Sequence, residues 1–219
     1  MVKPRIVETD HGITGEITTR MYDVMMRNMR DKGWIETNLI LGEEISSGLA
    51  LEIGPGPGYR GLEWLKRTKG THLEGLEISE DMIALARKNA VEYGLSGRVK
   101  YYKGDAQQMP FKDGYFDAVF TNGSLHEWSN PQSIFNEIVR VIKPGGKYLI
   151  SDLRRDMNPA IKGFLWLTVK PKEMRPGLMS SLDASYTISE ISAILTRTKL
   201  QDWKVSQNPF GIVVSGRKQ

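Results

Sequence analysis

Leu49-Ala50-Leu51-Glu52-Ile53-Gly54-Pro55-Gly56-Pro57-Gly58 decides the fold: an apolar run ends in a carboxylate and then in three glycines spaced two apart. Leu49, Leu51 and Ile53 carry strand character. Gly54, Gly56 and Gly58 let the backbone turn sharply and approach a ligand with no Cβ in the way. In the stretch that follows, Tyr59 to Lys69, Leu62 and Leu65 stand three apart, the spacing of a helix that lays one face on a sheet. The unit is strand, glycine loop, helix.

Three readings compete for this unit. A phosphate cradle aims backbone N–H groups at anionic oxygens and follows them with Lys and Ser or Thr. Pro55 and Pro57 have no N–H and no such pair follows, so a nucleoside triphosphate fits poorly. A dinucleotide fits better, because Gly56 to Gly61 reads GxGxxG and an acid ends the next expected strand. The third reading also uses Glu52, a carboxylate at the strand tip that would meet a cationic group, as the ammonium of S-adenosylmethionine is. LEIGPGPG resembles motif I of the class I S-adenosylmethionine-dependent methyltransferases, in which the acid and the glycine loop hold the methionine end of the cofactor.

With 219 residues, the chain fits one α/β domain with length left for a lid. Lys and Arg number 30 against 26 Asp and Glu, a surplus of +4 that is spread along the chain and does not point to nucleic acid. The absence of cysteine excludes disulfides, thiolate metal sites and a cysteine nucleophile. No metal site is expected. No segment reads as a signal peptide or a membrane span, so a soluble, cytoplasmic protein is expected.

Along the chain, Ile17 to Arg30 reads as a helix with a stripe of Met21, Met25 and Met29, expected in the core before a substrate wall. A second helix is expected over Glu36 to Ser47. After the glycine loop come a strand (Thr71 to Ile78), a helix capped by Ser79, a strand (Arg98 to Lys103), a strand (Tyr115 to Thr121), a helix opened by Pro131, and a strand (Lys147 to Ser151). This alternation predicts a parallel sheet covered by helices on both faces. Leu153 to Ser185, with Pro159, Pro171 and Pro176, breaks the rhythm and reads as a lid. A helix (Thr187 to Leu200) and a β-hairpin close the chain. The expected organisation is a single domain over 1–219, with an N-terminal helical lid (1–47), a cofactor-binding core (48–152), an insertion (153–185) and a C-terminal helix and hairpin (186–219).

Two further acids sit at expected strand tips. Glu77, 19 residues past Gly58, is placed to accept ribose hydroxyls. Asp105 follows the third strand in GDA. The resemblance covers most of residues 50 to 152, since GDA, YFDAVFTNGSLHEW and VIKPGGKYLISD are similar to the later motifs of the same methyltransferases. It implies a Rossmann-like, seven-stranded, mostly parallel sheet with the last strand antiparallel. It also implies that Asp105 and Ala106 receive the adenine, and that Tyr22, Ile53, Ile78, Asn122 and Ser124 stand around the cofactor with Glu52, Gly54, Gly56, Gly58 and Glu77. His126, in the loop after the fourth strand, is the candidate base, with His11 and Tyr22 weaker ones. Met25, His126, Phe164 and Trp166 are the candidate acceptor contacts.

The expected function is methyl transfer from S-adenosylmethionine, releasing S-adenosylhomocysteine, to a small molecule in the ubiquinone/menaquinone-methyltransferase-like manner, with no nucleic-acid or membrane partner. The alternatives are an NAD(P)-dependent oxidoreductase, a nucleic-acid methyltransferase and a non-catalytic cofactor-binding module. The Asn/Asp-Pro-Pro-aromatic motif of amino-methylating nucleic-acid enzymes is replaced here by Thr121-Asn122-Gly123-Ser124.

Overall fold

The computed structural model describes residues 3–8 and 12–219, so His11 lies outside the described residues. Two helices, α1 (Glu16–Asp31) and α2 (Thr37–Gly42), lead into β1 (Leu49–Ile53). The alternation continues with α3 (Tyr59–Arg67), β2 (His72–Glu77), α4 (Glu80–Glu92), β3 (Val99–Lys103), β4 (Phe116–Asn122), α5 (Pro131–Val141) and β5 (Ile142–Leu153). Then come α6 (Pro159–Thr168), α7 (Arg175–Ala184), α8 (Ile188–Leu195), β6 (Lys204–Gln207) and β7 (Gly211–Arg217).

The strands form one sheet in the order β3-β2-β1-β4-β5-β7-β6. The first five run parallel, and β7 lies antiparallel between β5 and β6, giving the expected mostly parallel sheet with its last strand reversed. The chain builds outward from β1 to β3 and then returns to the other side of β1 as β4. A sheet that reverses its winding in this way opens a crevice at the carboxyl ends of its central strands.

Side-chain alternation divides the core into two layers. Leu51 and Ile53 pack with Phe135, Ile138 and Leu195 on one face, while Ala50 packs with Leu62, Leu65 and Ile83 on the other. The helices start where short polar side chains cap them. Ser79 accepts from the Met82 N–H of α4, Asn130 from the Ser133 N–H of α5, and Thr187 and Glu190 close a capping box on α8.

Three expectations are revised. The second helix stops at Gly42 rather than Ser47, and the chain then turns through Glu44 at φ 56°. The methionine stripe is not core: Thr19 is the buried residue of α1, and Met21, Met25 and Met29 are half-buried. The 153–185 stretch is largely helical, with Asn158 capping α6 and Pro159 and Pro176 in first turns, where a missing N–H costs nothing. Among the described residues no helix is long and apolar enough to cross a membrane.

Candidate cofactor and acceptor site

An open cleft lies across the tips of β1, β2, β3 and β4, and Ile53, Gly54 and Gly56 form its floor. Gly54 sits at φ +60°, and a Cβ there would stand 2.9 Å from the Ser124 Cβ. A larger residue would be both strained and in collision. The Gly54 N–H donates to the Leu76 carbonyl at 2.9 Å, which ties the loop to the tip of β2.

Glu77 organises the next wall. Its Oε2 accepts from the Gly56 N–H at 3.0 Å, and its Oε1 accepts from the N–H groups of Ile78 (2.9 Å) and Ser79 (3.0 Å). Burial still raises the pKa of this carboxyl, against the pull of those three N–H groups. Asp105 follows β3 and caps the short turn Ala106–Gln108 by accepting from the Gln107 N–H at 2.8 Å. Asp105, Ala106 and Gln107 line the cleft together with Glu77 and Ile78.

Ser124 and Glu127 form the far wall. The Ser124 hydroxyl pairs with that of Thr121 at 2.6 Å. Burial pushes the Glu127 carboxyl up to about 7, with His126 pulling the other way. Tyr22 of α1 closes over Gly56, its ring 3.6 Å from where a Gly56 Cβ would stand. Its hydroxyl is held in the protonated form by burial first and then by the Glu127 carboxylate. A strap precedes α1: Gly12 and Ile13 line the cleft, the Ser79 hydroxyl donates to the Ile13 carbonyl at 2.6 Å, and the Gly15 N–H donates to Asp81 at 2.8 Å.

The structure therefore gathers Tyr22, Ile53, Gly54, Gly56, Glu77, Ile78, Asp105, Ala106 and Ser124 around one cleft. Glu52 does not line it. Alternation turns its side chain to the α3 face with Ala50, where it is buried beneath Gly61 with one oxygen lacking a hydrogen-bond partner. Burial pushes its pKa up to about 8, against the attraction of Arg60. Arg60 is also buried and donates to the Asn122 carbonyl at 3.1 Å. Asn122 lies behind the wall, donating to Glu36 and Ser151, and Gly58 turns into α3 at φ +82°.

His126 stands next to the cleft without lining it. Its backbone N–H donates to Asp152 at 2.7 Å, its Nδ1 lies 2.9 Å from the same carboxylate, and its Nε2 lies 3.4 Å from Glu8. Burial disfavours the imidazolium, but Asp152, with Glu127 and Glu8 behind it, outweighs burial and raises the pKa to about 9.

Met25, Phe164 and Trp166 are not brought to the cleft. Met25 is half-buried on α1, Phe164 is half-exposed beside Trp34 with ring centroids 6.4 Å apart, and Trp166 lies under the Arg175 guanidinium at 4.1 Å. Glu127, Gly12, Ile13 and Gln107 line the cleft without having been singled out in the sequence. For Glu127 the available signal was its place beside His126 in the loop after the fourth strand.

The family model described as a methyltransferase domain matches residues 51–150. The chain is 30% identical over 112 residues to a ubiquinone/menaquinone biosynthesis C-methyltransferase of Roseobacter denitrificans, covering 51% of this chain and 45% of that protein. It is 30% identical over 138 residues to a demethylmenaquinone methyltransferase of Thermus thermophilus, covering 62% and 61%. The chain thus spans less than two thirds of either relative. A solved structure from Methanococcus maripaludis, described as a candidate S-adenosyl-L-methionine-dependent methyltransferase, shares the fold at a TM-score of 0.75 and 21% identity, covering 94% of this chain and 97% of that one.

Proposed function

We propose that the chain, whose residues 51–150 match a methyltransferase-domain model, is a class I S-adenosylmethionine-dependent methyltransferase that transfers the sulfonium methyl group to a small molecule held between Tyr22, Ser124 and Glu127. The observation that carries this reading is the single cleft in which the glycine loop, Glu77 and the Asp105–Ala106 turn meet.

In this reading the Glu77 carboxylate, already oriented by three backbone N–H groups, uses its remaining lone pairs for the ribose hydroxyls. Asp105 and the Ala106 backbone receive the adenine. Glu52 and Arg60 act from behind, fixing the glycine loop against α3 rather than touching the ligand. The cofactor, when bound, supplies a methyl group made electrophilic by its sulfonium. The protein then aligns the two reactants and keeps water out, and Tyr22 and the Gly12–Ile13 strap cover the cleft on its open side.

Calorimetry with S-adenosylhomocysteine and with NAD tests the assignment. Binding of S-adenosylhomocysteine and not of NAD is expected, and the reverse preference would overturn it. Glu77→Ala should weaken S-adenosylhomocysteine by about 1.5–3 kcal/mol, roughly 10- to 150-fold in Kd. An unchanged affinity would remove Glu77 from the ribose site.

A further inference from the structure

At the far end of the cleft three potential ligands converge. One carboxylate oxygen each from Glu8 and Glu127 and one ring nitrogen of His126 all lie within 4.8 Å of one another. They come from two distant parts of the chain, the segment before the strap and the 3₁₀ turn Leu125–Glu127 after β4.

The arrangement around His126 is directional. Asp152 Oδ1 and Oδ2 lie 3.0 and 2.9 Å from Nδ1, so the carboxylate fixes the proton on that nitrogen and leaves Nε2 facing Glu8. The His126 side chain is 7% exposed, and among the described residues Nε2 makes no hydrogen bond, its neighbour being Glu8 Oε2 at 3.4 Å. A carboxylate behind a histidine whose other nitrogen faces outward is the outer-shell pattern of metal-bound histidines, in which it sets both tautomer and ring orientation. Among the described residues neither Glu8 nor Glu127 forms an ion pair with Lys or Arg. The Arg5 guanidinium approaches this turn but is spent on the His126 and Ala184 carbonyls. Among the described residues three acids, Asp152, Glu8 and Glu127, thus stand around one imidazole, and none of them forms an ion pair with Lys or Arg.

We propose that Glu8, His126 and Glu127 bind a divalent transition-metal ion. One imidazole nitrogen and two carboxylate oxygens suit zinc, and three protein ligands leave a fourth position open, as catalytic rather than structural zinc sites do. Because Glu127 also lines the cleft, that open position faces whatever fills it and can hold an oxygen or nitrogen donor of the methyl acceptor. The ion also joins the N-terminal segment to the cleft wall. Metal binding by the three side chains stands apart from the cofactor assignment; the open position as an acceptor anchor rests on it.

The test is zinc titration of chelator-treated, re-purified full-length protein, followed by calorimetry and by metal analysis after gel filtration. One equivalent of zinc retained by the wild type, and an affinity at least tenfold lower in Glu8→Gln and in Glu127→Gln, is the expected result. Glu8→Gln lies outside both core layers and keeps the fold testable where a His126 variant fails to fold. No stoichiometric zinc in the wild type, or zinc held equally by the Glu8→Gln and Glu127→Gln variants, would overturn the proposal. S-adenosylhomocysteine titrated into zinc-free protein separates the two readings: retained cofactor binding with no zinc site defeats this inference alone.

Discussion

Glu52 is read from the sequence as a ligand for a cationic group, yet the fold places it behind the loop. The reason is the two-residue period of a strand: Ile53 points to the cleft layer, so Glu52 points to the α3 layer. Its pH behaviour follows from burial there. The folded chain holds the Glu52 proton up to about 8, whereas an unfolded chain releases it near the ordinary carboxyl value of about 4.3. Stability from this group is full below that lower value and is lost as pH rises through 8, because only the folded form then binds the extra proton. Glu52→Gln, which cannot ionise, should show a thermal midpoint that falls less between pH 5 and 8.5 than that of the wild type. Parallel curves for the two proteins would mean that Glu52 is already ionised across that range, paired with Arg60. Glu77 and Asp105 were legible because one ends a strand and the other follows one, and the period and stop signals of both strands are local. Glu8 was not, since it lies in a polar segment with no period and meets His126 only through the tertiary fold.

At the scale of elements, the alternating core from β1 to β5 was readable in order because each strand and helix carries its own period and cap. The 153–185 insertion was not, because Pro159 and Pro176 read as breakers although each stands in the first turn of a helix. It also contributes no lining residue to the cleft among the described residues. Instead α7 packs against the Leu125–Glu127 turn, the Ile6 N–H donates to the Asp183 carbonyl at 3.0 Å, and the Arg155 Nε donates to the Lys3 carbonyl at 2.8 Å. The insertion thus anchors the N-terminal segment from outside. Trp166, half-exposed beneath Arg175, belongs to that outer surface. Trp166→Ala should forfeit a cation–π contact worth about 0.5–1 kcal/mol of stability, read by urea unfolding. Its S-adenosylhomocysteine affinity should stay within about 0.5 kcal/mol of wild type, as for surface changes remote from a site. A larger loss of affinity would place α6 over the cleft in the bound state.

For the whole molecule, the sheet order explains why the cleft needs a cover. Winding out to β3 and back to β4 leaves the strand tips open, and the segment that closes them comes from before β1. Among the described residues its attachments are the Ser79 hydroxyl to the Ile13 carbonyl, the Gly15 N–H to Asp81, and Gly12 packed against Ile78 and Glu77. A strap held this lightly opens at much lower cost than the core, so ligand exchange is expected to pass through its opening. Gly12 sits at φ +62°, where a β-branched residue is strained, and a Cβ there would lie 2.9 Å from Ile78 Cγ2. Gly12→Val should therefore lift the strap without touching either core layer. The expected outcome is an unchanged thermal midpoint for the ligand-free protein and an S-adenosylhomocysteine dissociation rate about tenfold faster by stopped flow, equivalent to about 1.4 kcal/mol if association is unaffected. An unaltered dissociation rate would show that the strap does not gate the cleft. A lowered thermal midpoint without ligand would show that it is part of the cooperative fold instead.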